Sequence, residues 1–172
     1  QGFFENGTTD YLTANCYAYA LNLAVGPLNP GRTGNGPLAA YNDSLKLFQE
    51  ATAADGLLYL GDDEDAVPAT VTGTNIDGYQ VLEADYLVIL GRSIADYHWQ
   101  RIDSKGLWSE KFPNKFAVHT GNNANLAGGS SKSSHFTAWF LVRNALVQER
   151  GAAWRKTGAK TSGAGSRKCV IL

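Results

Sequence analysis

The chain has 172 residues, 44% hydrophobic and 18% charged, a globular composition long enough for one domain with a substantial core. Its formal charge of −1 conceals a split: residues 1–149 carry nine Lys/Arg against sixteen Asp/Glu, while residues 150–172 carry six Lys/Arg and no acid. The acidic body lacks the positive surface that phosphate neutralisation needs, which argues against nucleic acid as a partner, and no apolar run reaches the ~20 residues of a membrane helix.

The chain opens on Gln1 rather than Met, which implies removal of a leader, a tag or a longer precursor. Residues 13–25 are predicted to form a helix capped by Thr13 or Asn15 and ended by Gly26-Pro27. After the cap only Asn22 is polar, so the helix is expected to be buried on every side. A Gly/Pro/Asn-rich loop follows to Pro37. Residues 38–54 are predicted to form a second, amphipathic helix, with Leu38, Tyr41, Leu45 and Phe48 at helical spacing and Gly56 as its stop.

β character begins with a short strand over residues 56–60. Asp62-Asp63-Glu64-Asp65 is expected to be a solvated loop; a calcium site is the alternative reading, without EF-hand spacing. Tyr86 to Leu90 is a central strand. Residues 96–103 and 107–112 form a hairpin. Residues 120–134 are a Gly/Asn/Ser loop, and a strand from His135 to Val142 leads to a short helix near Asn144 to Trp154. Helices first and a meander of strands after them predict an α+β domain, N-terminal helices packed on an antiparallel sheet, over residues 1–156. Residues 157–172 are expected to be a flexible basic tail.

Two distant cysteines, Cys16 and Cys169, form no disulfide framework, and no Cys/His cluster has zinc spacing, so neither metal nor cofactor is expected. Cys16 falls in the first turn of the predicted helix. There the helix dipole favours a thiolate and backbone N–H groups can hold an oxyanion. The competing reading is a small buried core residue. Of the three histidines, His98 lies mid-strand in a sheet that must pack on the helix; His119 and His135 sit beside loops.

The hairpin register supplies a third group. A type I turn over Asp103-Ser104-Lys105 with Gly106 in the left-handed bulge position pairs Ile102 with Trp108 and Gln100 with Glu110. Side chains alternate with period two, so His98, Gln100 and Glu110 share a face, and Glu110 can orient the imidazole. With a turn one residue shorter, Ser109 and Lys111 take that face and Gln100 is the orienter. Asn15 is assigned an oxyanion or supporting role.

Asn15-Cys16-Tyr17-Ala18-Tyr19-Ala20-Leu21 and the hairpin from Asp96 to Lys111 resemble a set of bacterial papain-like proteins, which carry an "NCYSYAL"-like helix and a "DYHWYRQDSNGTWSHKPG"-like hairpin. The order of Cys helix, His strand and polar third residue is also that of NlpC-type and CHAP-type amidohydrolases. The resemblance covers residues 10–25 and 80–113. It implies a papain-like fold and thiol hydrolysis of an amide or peptide bond in a protein or peptide substrate. The family usually has His where this chain has Glu110. Two further readings stay open: deamidation or transamidation of a protein Gln on the same fold, and a non-catalytic binding module with Cys16 in the core and Tyr17, Trp99 and Trp108 as recognition surface.

The last residues, Cys169-Val170-Ile171-Leu172, fit a prenylation box, preceded by Arg155, Lys156, Lys160, Arg167 and Lys168. One prenyl chain with a polybasic patch is the two-signal arrangement that stable anchoring requires. The expectation is a lipidated Cys169 at a membrane surface, in a secreted bacterial effector acting inside a host cell. Asn6-Gly7-Thr8 and Asn42-Asp43-Ser44 match the glycosylation sequon by chance.

Overall fold

The computed structural model describes residues 12–40, 43–62, 71–93, 97–102, 106–112, 114–121 and 134–158. Its elements are α1 (Cys16–Ala20), α2 (Leu45–Asp55), β1 (Leu57–Gly61), β2 (Asn75–Ile76), β3 (Tyr79–Gln80), β4 (Tyr86–Ser93), β5 (Tyr97–Ile102), β6 (Trp108–Glu110), β7 (Val118–Gly121), β8 (Ser134–Val142) and α3 (Asn144–Gly158). Six strands form one sheet in the order β1-β8-β4-β5-β6-β7, every neighbouring pair antiparallel. The fold class is α+β, as expected. Strands β4 to β7 form a meander, and β8 returns between β1 and β4.

Alternation along β4 builds two cores. Val88 and Leu90 join Trp99, Phe140 and Val142 on the side covered by α1, by Phe48 and Ala51 of α2, and by Val147 of α3. Leu87 and Ile89 join Trp108, Trp139 and Leu141 on the other side, under Val71 and Val81. With both faces buried, β4 reads as a continuous apolar run.

The first helix is shorter than residues 13–25. It begins at Cys16, because Asn15 Oδ1 caps it by accepting from Ala18 N at 3.1 Å. It ends at Ala20 because Asn22 adopts φ 54°, with Asn22 N donating to Tyr19 O and Leu23 N to Ala18 O, both at 3.0 Å. This is a Schellman stop with Asn in the left-handed position. The one polar residue of the run is the terminator, and the apolar residues beyond it are buried in irregular chain.

The second helix begins at Leu45 rather than 38, because Ser44 Oγ accepts from Leu47 N at 3.2 Å and starts it there; Leu38 is exposed. Gly56, at φ 110°, ends it as expected. The β2–β3 hairpin turns through Asp77 and Gly78, both at positive φ, the Asp-Gly signal of a two-residue turn. The edge strand β7 falls partly in the segment read as loop. The acidic run beyond Asp62, residues 103–105, 122–133 and 159–172, and both sequons' asparagines lie outside the described residues.

The loop after α1 wraps closely on the end of α2. A Cβ added to Gly34 would lie 1.6 Å from Ala54 O, a backbone atom. Gly34→Ala is therefore expected to cost several kcal/mol, on the order of 3, seen as a lowered urea midpoint. A midpoint within error of the parent would show that the loop can shift away.

Candidate active site

Four anchors set α1 on the sheet. Tyr17 packs on Trp99 with ring centroids 5.0 Å apart, and its hydroxyl donates to Asp55 Oδ2 at 2.7 Å. Tyr19 OH donates to Ser109 Oγ at 2.9 Å, and the Arg101 guanidinium lies 4.2 Å from the Tyr19 ring centroid. Arg101 Nη1 also donates to Tyr19 O and to Asn22 Oδ1, and Tyr86 OH donates to Ala20 O. At the front of the helix, Asn15 Nδ2 donates to Leu28 O at 2.8 Å while its Oδ1 also accepts from Leu28 N at 3.2 Å. The Asn15 amide thus braces the helix start against the following loop, which is a supporting role.

The hairpin register is the one Gly106 implies. Gln100 opposes Glu110, Arg101 opposes Ser109 and Ile102 opposes Trp108, with Gly106 at φ 76°. His98 Nε2 lies 2.9 Å from Glu110 Oε2, both side chains largely buried. Gln100 Nε2 donates to the same Glu110 oxygen at 3.1 Å, so Gln100 steadies the carboxylate. Phe112, just past β6, stacks on the imidazole at 4.5 Å and 11°. On the other flank His98 is paired with Gly91. A Cβ there would meet nothing among the described residues within 4 Å.

His98 is also hydrogen-bonded to Cys16. With Nε2 on Glu110, Nδ1 is the nitrogen left for the sulfur. Cys16, His98 and Glu110 therefore form one chain of hydrogen bonds drawn from α1, β5 and β6. Burial works to lower the His98 pKa, but the hydrogen bonds to Cys16 and Glu110 and the negative charge of both raise it from 6.5 to about 9. At neutral pH the imidazole is a cation beside the sulfur. Cys16 itself is fully covered, at 0% exposure.

A fourth group is Lys111, which the sequence places on the His98 face only with a turn one residue shorter. Lys111 is fully buried, and its Nζ donates to Ala14 O at 2.7 Å, Leu12 O at 3.3 Å and Phe112 O at 3.2 Å. Burial lowers its pKa from 10.5 to about 8, against the upward pull of the nearby Cys16. The register that turns Glu110 toward His98 turns Lys111 the opposite way, with Ser109 and Arg101. Residue type alone signals a solvated lysine.

His119 is exposed on β7, opposite Ser109. The side chain of His135 and all of Cys169 lie outside the described residues. Among the described residues no group of three or more His, Cys, Asp or Glu is placed to hold a metal, and no helix is long and apolar enough to cross a membrane. No family model matches the chain, and no curated protein or solved structure matches it either.

Proposed function

We propose that the protein is a papain-like thiol hydrolase that cleaves an amide or peptide bond through an acyl-thioester on Cys16. The observation that carries this reading is the unbroken hydrogen-bond chain from Cys16 through His98 to Glu110. A structural cysteine needs no imidazole, and a histidine buried for packing alone has its pKa lowered by desolvation, not raised. Here three polar groups converge from separate elements, which is the nucleophile, base and orienter logic of acyl transfer.

In the resting state the proton sits on His98 and Cys16 is a thiolate. The sulfur attacks the carbonyl carbon and forms the C–S bond. His98 then passes its proton to the departing amine as the C–N bond breaks, leaving a thioester. Water gives a proton back to the neutral imidazole and attacks the thioester. Acid leaves, and the thiolate and imidazolium are restored. Glu110 balances the imidazolium and fixes which ring nitrogen faces the sulfur. Because Cys16 is covered in the resting fold, substrate binding must uncover it.

The test is to incubate the protein with a library of peptide amides and quench in acid. A covalent acyl adduct mapped to Cys16, with turnover lost in Cys16→Ala, is the expected result. Release of ammonia from Gln without chain cleavage would instead assign deamidation. Absence of any adduct or turnover, with a thiol that titrates as ordinary cysteine near ~8.5, overturns the hydrolase reading and leaves Cys16 as a core residue.

A further inference from the structure

A lysine at 0% exposure has given up its hydration, a cost that an apolar side chain of similar length would avoid. Its placement indicates what that cost supports. Two of the three carbonyls it binds, Leu12 and Ala14, belong to the segment that leads into Cys16. The third belongs to Phe112, whose ring stacks on His98. One ammonium therefore ties the approach to the nucleophile to the residue that backs the base. Asn114 N, donating to Leu12 O at 2.8 Å, adds a second tie between the same two segments.

The short α1 sharpens the point. A macrodipole is the sum of aligned peptides, and five residues supply few of them. The short helix supplies less positive potential than a long one, and two cationic side chains, Lys111 and His98, stand near its start. Among the described residues, His98 from β5 and Lys111 beyond β6 act on Cys16, with Glu110 bonded to His98 and, along α1, Tyr17 on the Asp55 carboxylate and Tyr19 with Arg101 over its ring.

We infer that Lys111 is a positioning residue with an electrostatic function: its ammonium holds the backbone that presents Cys16 and, through its charge, keeps the sulfur ionised. This inference rests on the hydrolase reading only in taking Cys16 as the nucleophile.

The two contributions separate by substitution. Lys111→Gln keeps a donor for the Ala14 carbonyl but removes the charge; Lys111→Met removes both. The readout is the ultraviolet absorbance of the thiolate as a function of pH, each variant taken against its Cys16→Ser counterpart. This readout does not require a reagent to reach the covered sulfur. Both substitutions are expected to raise the Cys16 midpoint by about one pH unit or more. A midpoint in Lys111→Gln equal to the parent's would reduce Lys111 to a backbone clamp and overturn the inference.

Should neither variant fold, the parent protein answers. Compared with its Cys16→Ser variant, which lacks the anion, the parent's Lys111 ammonium, followed by nitrogen NMR across pH, must titrate higher. An unchanged Lys111 titration overturns the electrostatic function. A parent Cys16 that titrates as an ordinary thiol sinks the hydrolase reading itself, a result distinct from a low parent midpoint that the lysine variants leave in place.

Discussion

Replacing His98 with Ala is expected to lower the thiolate fraction of Cys16 at pH 6.5 by about a hundredfold. The two groups share one proton, so whatever favours the imidazolium beside the sulfur also favours the thiolate beside the ring. Without the ring the thiol returns toward the ~8.5 of an ordinary cysteine, or above it given its burial. At pH 6.5 that leaves about one part in a hundred ionised, against the thiolate–imidazolium pair that the proposed function assigns to the parent. Thiolate absorbance against pH measures this directly, and hydrolysis, where assayed, should fall at least as far. Glu110→Gln should have a smaller effect, about tenfold, because it removes the balancing charge and leaves the ring. A His98→Ala protein with the parent's thiolate curve would break the link between the two residues.

The same interactions make stability depend on pH, with a definite sign. His98 has a folded pKa of about 9 against 6.5 in its ordinary state, so its contribution is complete below 6.5 and is lost as pH rises through 9. Lys111 runs the other way. Its folded pKa of about 8 lies below 10.5, so the fold carries the cost of a buried cation at low pH and is relieved of it between 8 and 10.5. Between pH 6.5 and 8 a folded-state Cys16 thiolate offsets the His98 loss, since the pair then holds one proton both folded and unfolded; the urea midpoint should stay level there in the parent and fall in Cys16→Ser, by on the order of 1–2 kcal/mol in unfolding free energy. Adding His98→Ala to Cys16→Ser should remove the fall.

Asp55→Ala is expected to be the most destabilising single substitution in the helical layer, at about 3–5 kcal/mol. The carboxylate is fully buried and accepts from Tyr17 OH at 2.7 Å, Gly31 N at 2.6 Å, Thr33 Oγ1 at 2.7 Å and Gly34 N at 2.8 Å. Removing it strands three buried donors and one half-buried one, each of which must find water or bear its desolvation cost. Tyr17→Phe, which removes one donor and leaves the carboxylate three, should cost only about 1–2 kcal/mol. Tyr17 follows Cys16, so Asp55 also anchors the helix that carries the candidate nucleophile. Urea unfolding of both variants checks the ratio; an Asp55→Ala cost near that of Tyr17→Phe would mean the loop rearranges to satisfy its own donors.

Several features were legible in the residues alone, and for local reasons. The hairpin register follows from Gly106, because one left-handed residue fixes which pairs oppose, and with period-two alternation that placed Glu110 on the side of His98. The α+β class follows from helical spacing before strand spacing, and the apolar run at Tyr86 to Leu90 marked a central strand. Other features depended on partners distant in sequence. Asn22 looked like a polar exception in a buried helix; it is the stop, and it is held there partly by Arg101, 79 residues away. Leu38 has helical spacing with Leu45 but no core to face, so α2 starts only where Ser44 caps it. Cys16 could be placed in a first turn from sequence, but not under complete cover. Asp55 reads as a polar end to an amphipathic helix until the loop over residues 31–34 folds onto it. Lys111 reads as a solvated charge until the chain brings the carbonyls of Leu12 and Ala14, about a hundred residues away, around its ammonium. Local rules set strand pairing and capping because those act over a few residues. Which polar groups become buried, and what satisfies them there, was decided only when distant segments met.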